Sequence, residues 1–322
     1  MSRLIIRKQG LKCGKIRKYS LEILGGRWVK GQIRKALSGF YYVVTADNTV
    51  YQTRGRGNFR KRKLTPLVGD RVEFESSNLT DGYILDLLPR KNELVRPPVA
   101  NVDLGIVVIS MVEPAFSYNL LDRFLVNLEF KDIEPVIYLS KLDLLADKDA
   151  STKVKSVYET IGYNVIASED DETNKRALEK LFKDKLSVFM GQSGAGKSTL
   201  LNKIRPDLAL ETAAISDHLG RGKHTTRHVE LLEIGGGLVA DTPGFSSLEF
   251  QEITSQELPR MFPEFVQAVP LCKFRECQHV NEPDCEVKRQ VAKKEIAATR
   301  YDNYLQFLAE IEKRRPVYKK SK

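Results

Sequence analysis

Two hydrophobic periods divide the chain. Between Lys30 and about Arg96, apolar and polar residues alternate in short runs: Gly31 to Ala36, Phe40 to Thr45, Thr49 to Arg54, Asp70 to Glu75 and Tyr83 to Leu88. A period of two puts successive side chains on opposite faces of a strand, and five such strands in so short a stretch suggest a small barrel, with the five-stranded oligonucleotide-binding (OB) type as the natural candidate. Arg96-Pro97-Pro98 reads as a linker, because proline blocks a helix and holds the chain extended. Beyond it the pattern changes. Val102 to Ile109 is a near-continuous apolar run, expected as a buried strand, while Leu120, Leu121, Phe124, Leu125 and Leu128 share one helical face. Strands follow at Val136 to Leu139, Asn164 to Ala167, Leu186 to Met190, Val229 to Ile234 and Gly237 to Ala240. Helices are expected at Ser151 to Ile161, Lys175 to Phe182, Thr199 to Ile204 and Val287 to Glu312. In the central part, strands alternating with helices build a parallel sheet whose ligands lie at the strand C-termini.

At 322 residues the chain is long for one core, so two or three domains are expected. The net charge of +10 is unevenly spread: residues 1–98 hold 21 Lys and Arg against 8 Asp and Glu, residues 99–259 hold 17 against 25, and residues 260–322 hold 14 against 9. An acidic centre between two basic ends favours contact of the ends with nucleic acid. The segment Arg54-Gly55-Arg56-Gly57-Asn58-Phe59-Arg60-Lys61-Arg62-Lys63 adds six cations and an aromatic, a composition suited to phosphate contact and base stacking. No apolar run approaches 18 residues and the start lacks a secretory core, so a cytoplasmic protein without a membrane contact is expected. The first 28 residues admit two readings. Leu24-Gly25-Gly26-Arg27-Trp28 is what a translated purine-rich ribosome-binding site would give, with Val29 as the start; the alternative is a real basic, disordered arm after Met1.

The chemistry centres on Gly191-Gln192-Ser193-Gly194-Ala195-Gly196-Lys197-Ser198, followed by Thr199, a full phosphate-loop pattern between a strand and a helix. Glycines let backbone N–H groups turn onto phosphates, the helix N-terminus adds positive potential, Lys197 reaches the terminal phosphates and Ser198 can hold Mg2+. Asp241, at a strand end before Thr242-Pro243-Gly244, fits a carboxylate acting on that Mg2+, and the Gly244 N–H can sense the γ-phosphate. Gly220-Arg221-Gly222-Lys223-His224-Thr225-Thr226 has the makeup of a switch loop, with Thr226 or Thr225 as a further Mg2+ ligand. Ser140-Lys141-Leu142-Asp143 supplies base preference: a carboxylate at Asp143 accepts from the guanine ring N–H and amine together, a donor pair adenine lacks. GTP is therefore favoured over ATP. Phe245 cannot orient the hydrolytic water, which leaves His224 as the local candidate. The base motif precedes the phosphate loop, the reverse of an ordinary small GTPase, so a circularly permuted GTPase is the consistent reading. Cys272-x4-Cys277-x-His279-x5-Cys285 offers three thiolates and an imidazole, a closed structural zinc site. A basic tail, Lys313 to Lys320, follows the last helix.

The barrel, the permuted order with Gly-Gln-Ser-Gly-Ala-Gly-Lys-Ser and Asp-Thr-Pro-Gly-Phe, and the Cys/His spacing together resemble the RsgA family over about residues 30–315; Phe40-Tyr41-Tyr42-Val43 and Leu67-Val68-Gly69-Asp70-Arg71-Val72 resemble it as well. The resemblance implies a bacterial GTPase stimulated by the small (30S) ribosomal subunit, acting late in that subunit's maturation, with His224 and Lys197 as catalytic residues. Departures are Ser140, where the usual motif has Asn, an indistinct second base-contact motif near Ala167-Ser168, and the N-terminal 28 residues. The expected layout is a basic extension over 1–29, an OB barrel over 30–96, a permuted α/β GTPase over 99–258 and a mostly helical zinc domain with a basic tail over 259–322. The expected partners are the small subunit, 16S rRNA and GTP or GDP, bound by a monomer. A GTP-switched RNA-binding scaffold with incidental turnover is the alternative, and an ATPase the weaker one.

Overall fold

The computed structural model describes residues 28–208, 229–241 and 249–314. Its N-terminal part is the expected five-stranded barrel: β1 (Val29–Leu37), β2 (Phe40–Thr45), β3 (Val50–Gly55), β4 (Arg71–Ser76) and β5 (Gly82–Leu87). The order β1-β2-β3-β5-β4 closes through β1–β4 pairing, and Ile33, Val43, Val72, Phe74 and Ile84 fill the interior without exposure. The strands therefore alternate as the period of two requires.

The central sheet runs β10-β9-β8-β11-β13-β12, with β8 (Leu104–Ser110), β9 (Glu134–Ser140), β10 (Asn164–Ile166), β11 (Leu186–Met190) and β13 (Gly237–Asp241) parallel and β12 (Val229–Ile234) antiparallel at the edge. Every residue of β8 is buried, which explains its unbroken apolar run. On one face lie α2 (Tyr118–Phe130) and α3 (Lys148–Ile161), on the other α4 (Asp171–Phe182) and α5 (Lys197–Ile204). Three starts are capped from the side chain: Ser117 Oγ accepts from Leu120 N–H, Asp147 from Asp149 N–H and Asp170 from Thr173 N–H.

The barrel is no appended bead. A bulge at Arg34 redirects β1, whose Lys35 and Ala36 pair antiparallel with Glu230 and Val229 of β12, so both parts share one eleven-stranded sheet. Lys35 Nζ donates to Glu230 at 2.7 Å, and Arg34 pairs with Glu233. The segment expected as a linker is a hairpin, β6 (Glu93–Val95) against β7 (Pro98–Ala100), with Val99 fully buried and Ala100 N–H donating to Val68 O at 2.8 Å.

The C-terminal part is helical: α6 (Pro263–Ala268), α7 (Glu286–Ala292) and α8 (Ala298–Lys313), after one helical turn in the barrel, α1 (Asn58–Lys61). The single helix expected over 287–312 is two. Lys294 takes φ +64°, ending α7, and Ile296 turns into the core at 4% exposure; the break carries no glycine or proline to announce it. Among the described residues no helix is long and apolar enough to cross a membrane.

Candidate functional site

Strands β8, β9 and β11 end along one edge, and the phosphate loop leaves that edge directly from β11. Gly191, Gly194 and Gly196 take φ of +140°, +77° and +98°, which side chains avoid. At Gly191 space is decisive: a Cβ there would lie 2.2 Å from Val108 O. Helix α5 starts at Gly196 with no side-chain cap, so its first N–H groups are available to an anion. Lys197 folds back over the loop, its Nζ donating to Gly191 O at 2.7 Å and Gln192 O at 2.8 Å, and burial lowers the ammonium's pKa. Ser198 and Thr199 occupy the helix's first turn, and Gln192, Ser193 and Gly194 are exposed.

The base motif stands beside the loop. Ser140 ends β9, and its hydroxyl donates to Ala195 O at 2.6 Å. Lys141 takes φ +58° and donates to Glu113 O; Pro114, next along, packs 3.7 Å from where a Cβ on Gly194 would be. Leu142 is buried while Asp143, in a 3-10 turn over Leu142–Leu144, is exposed and open to a ligand. Lys148, which no motif marks, donates to Leu142 O at 2.9 Å and to Glu169 at 2.6 Å. It thereby joins this turn to the Ala167-Ser168 loop at the end of β10. Asp241 closes β13, whose Ala240 pairs with Val188 of β11. The Asp241 side chain, His224, Thr225, Thr226 and Gly244 lie outside the described residues.

Cys272, Cys277, His279 and Cys285 converge as their spacing suggests, with one ligand atom from each lying within 4.8 Å of all the others. His279 Nδ1 faces the sulfurs, 3.4 Å from Cys285 and 3.9 Å from Cys272. A tetrahedral zinc with bonds of about 2.0–2.3 Å needs neighbouring ligand atoms roughly 3.5–3.8 Å apart, so the cluster fits a small divalent ion. Burial pushes the Cys277 thiol up to about 12 and raises Cys285, a cost to thiolates that a bound cation offsets. Tyr301 Oη holds His279 O at 2.6 Å and Tyr304 Oη holds Gln278 O, so α8 frames the ligand loop.

On the barrel, the aromatic expected for base stacking is displaced. Phe59 is 3% exposed and plugs the barrel, because the turn α1 drives it inward. Of the cations around it, Arg56 pairs with Glu75 and Arg62 with Asp86. The outer face instead aligns Phe40, Arg54 and Tyr83 across β2, β3 and β5, with the Arg54 guanidinium 4.6 Å over Phe40 and Tyr83 exposed. Nothing in the alternation alone shows that these three meet.

A phosphate loop on an α/β sheet, with a base motif preceding it in the chain, defines a circularly permuted GTPase carrying an N-terminal barrel and a C-terminal helical region with a Cys/His cluster. The family model for the RsgA GTPase matches residues 87–251 and that for the RsgA N-terminal domain residues 30–84. The chain belongs to the RsgA GTPase family and is a GTP-hydrolysing enzyme. It is 69% identical over 295 residues, covering 91% of this chain and 99% of the relative, to the small ribosomal subunit biogenesis GTPase RsgA of Enterococcus faecalis. It is 56% identical, over 90% of this chain and 100% of the relative, to RsgA 2 of Listeria innocua. Among solved structures, YloQ, a circularly permuted GTPase, matches at TM-score 0.76 and 45% identity over 93% of this chain and 100% of its own. YjeQ from Thermotoga maritima matches at 0.76 and 36% over 89% and 100%.

Proposed function

We propose that this enzyme acts in the cytoplasm, as a monomer, in late maturation of the small ribosomal subunit, binding 16S rRNA and hydrolysing GTP when the subunit stimulates it. Supporting this is the junction of barrel and nucleotide sheet through β1 and β12, which sets a stacking face and a phosphate loop in one continuous sheet. The relatives' names supply the subunit as partner.

In this reading GTP or GDP is cradled by Gly191 to Thr199, with Asp143 accepting from guanine and Lys141 and Leu142 shaping the pocket wall. Ser198, Thr226 and Asp241 hold Mg2+, which supplies charge neutralisation on the β- and γ-phosphates. Lys197 exchanges its two carbonyl partners for phosphate oxygens, and the Gly244 N–H meets the γ-phosphate. His224 orients the attacking water for in-line displacement. One structural Zn2+ sits on Cys272, Cys277, His279 and Cys285. The 30–96, 99–258 and 259–322 segments are the working units, and phosphate contacts on the barrel and the C-terminal end set a salt-dependent affinity for RNA.

Phosphate release from GTP and ATP, with and without purified small subunits, tests the proposal. Stimulation confined to GTP, and lost in His224→Ala, is expected. GTP-dependent subunit binding without stimulated release would make the chain a nucleotide-switched scaffold instead.

A further inference from the structure

Ser140 occupies the first position of the guanine motif, yet its geometry points away from the base. The side chain is 8% exposed, and its single hydroxyl proton is committed to Ala195 O at 2.6 Å, with Ile109 O farther off at 3.3 Å. Ala195 belongs to the phosphate loop, 55 residues on in sequence. Gly196 also adjoins Ser140, since a Cβ on it would lie in ordinary van der Waals contact, 3.8 Å from both Cβ and Oγ of Ser140.

The peptide Ala195–Gly196 is a rigid plane in which C=O and N–H point in opposite directions. Fixing the Ala195 carbonyl on Ser140 therefore fixes the Gly196 N–H on the far side of that plane. Gly196 is the N-cap residue of α5, which has no side-chain cap, and its φ of +98° is one that glycine takes without steric cost, so nothing in its own side chain holds it there. The Ala195 N–H, which belongs to the preceding peptide, is held by Gln192 O at 3.2 Å, so the peptides on both sides of the Ala195 Cα are held, the second of them by Ser140 from outside the loop.

We propose that Ser140 is a positioning residue for the phosphates: it aims the Gly196 N–H at the nucleotide's phosphate chain and takes no part in base selection, which falls to Asp143. The inference rests on the nucleotide-site reading above but not on the identity of the base. A serine is long enough to reach the loop carbonyl from the end of β9, and with its proton spent there it has no donor left for a ligand.

The test is the binding of GDP, CDP and pyrophosphate to the full-length wild type, Ser140→Ala and Ser140→Thr by titration calorimetry. CDP presents no purine edge and pyrophosphate no base at all. Removing the hydroxyl is expected to weaken all three probes by one common factor, about five- to tenfold for a lost neutral hydrogen bond, with Thr within about twofold of wild type. A loss confined to GDP, or no loss with any probe, overturns the proposal. Should Ser140→Ala fail to fold, Ser140→Val against Ser140→Thr compares equal shapes with and without the hydroxyl. Asp143→Asn separates the two readings: if it leaves the preference of GDP over CDP unchanged, the base assignment fails while the Ser140 ratio still decides its own question.

Discussion

Arg300 of α8 and Asp122 of α2 meet at 2.7 Å with neither side chain reaching solvent, although 178 residues separate them. Glu264 of α6 takes the other side of the guanidinium at 2.7 Å and 3.1 Å, Tyr158 and Asn303 donate to Asp122, and Phe262 lies 4.5 Å under the charge. Burial raises the Asp122 carboxyl's pKa, and Arg300 opposes that rise. This knot fastens the C-terminal helices to the nucleotide domain. Breaking a buried pair on one side leaves uncompensated charge, so Arg300→Met is expected to cost about 3–5 kcal/mol in urea denaturation. Adding Asp122→Asn and Glu264→Gln to it should recover part of that loss, and a loss under about 1 kcal/mol for Arg300→Met alone would contradict the arrangement.

Nearer the surface, Arg123 of α2 pairs with Glu310 of α8 while lying 5.0 Å and 4.7 Å over the rings of Phe250 and Phe307. Its hydrogen bonds lower the Glu310 carboxyl from the ordinary 4.5. A depressed carboxylate stabilises the fold above its unfolded value and ceases to do so as pH falls through the folded one. Stability measured from pH 7 down should therefore decline below about pH 4.5, and Glu310→Gln should flatten that decline while costing less than about 1 kcal/mol at pH 7.

Metal removal should act on the C-terminal region first. Cys277→Ser is expected to bring bound zinc well below one per chain and to lower the thermal midpoint, since the ligand loop and the ends of Tyr301 and Tyr304 are organised around the same four residues. Elemental analysis with thermal denaturation reads both. Wild-type stability unchanged by chelation would mean that packing alone holds the loop.

Gly191→Ala places a Cβ on the Val108 carbonyl at a φ that L-residues avoid. Relieving roughly 1–3 kcal/mol of strain must reshape the loop, so GDP affinity should fall about 10- to 100-fold while the barrel and the Cys/His cluster stay folded. Calorimetric titration against zinc content separates these effects; unchanged affinity would show that the loop binds in another shape.

Much of this was legible in the order of residues, for identifiable reasons. Strands Phe40–Thr45, Leu186–Met190 and Val229–Ile234 begin and end where the apolar pattern does, because each buries a face or both faces. The phosphate loop and the Cys/His cluster are short-range patterns whose chemistry dictates spacing, so they appear in the sequence complete. What escaped depends on a local conformation that no residue type announces, or on distance in the chain. The split between α7 and α8 turns on Lys294 adopting a left-handed conformation, for which lysine gives no sign. Phe59 read as a stacking ring because its cationic neighbours are visible and the barrel cavity is not. Ser140 reaching Ala195, Lys148 bridging two loops, and Arg300 between two domains are relations of tertiary geometry alone.

The bond between β1 and β12 has a mechanical meaning. Val229, the first residue of β12, pairs with Ala36 of the barrel, and the same strand is laddered along β13 to Asp241. The barrel and the phosphate-binding edge are thus jaws of one caliper. Neither can swing without shearing the Lys35–Glu230 and Ala36–Val229 pairs, so any surface that touched both would meet them at a fixed offset.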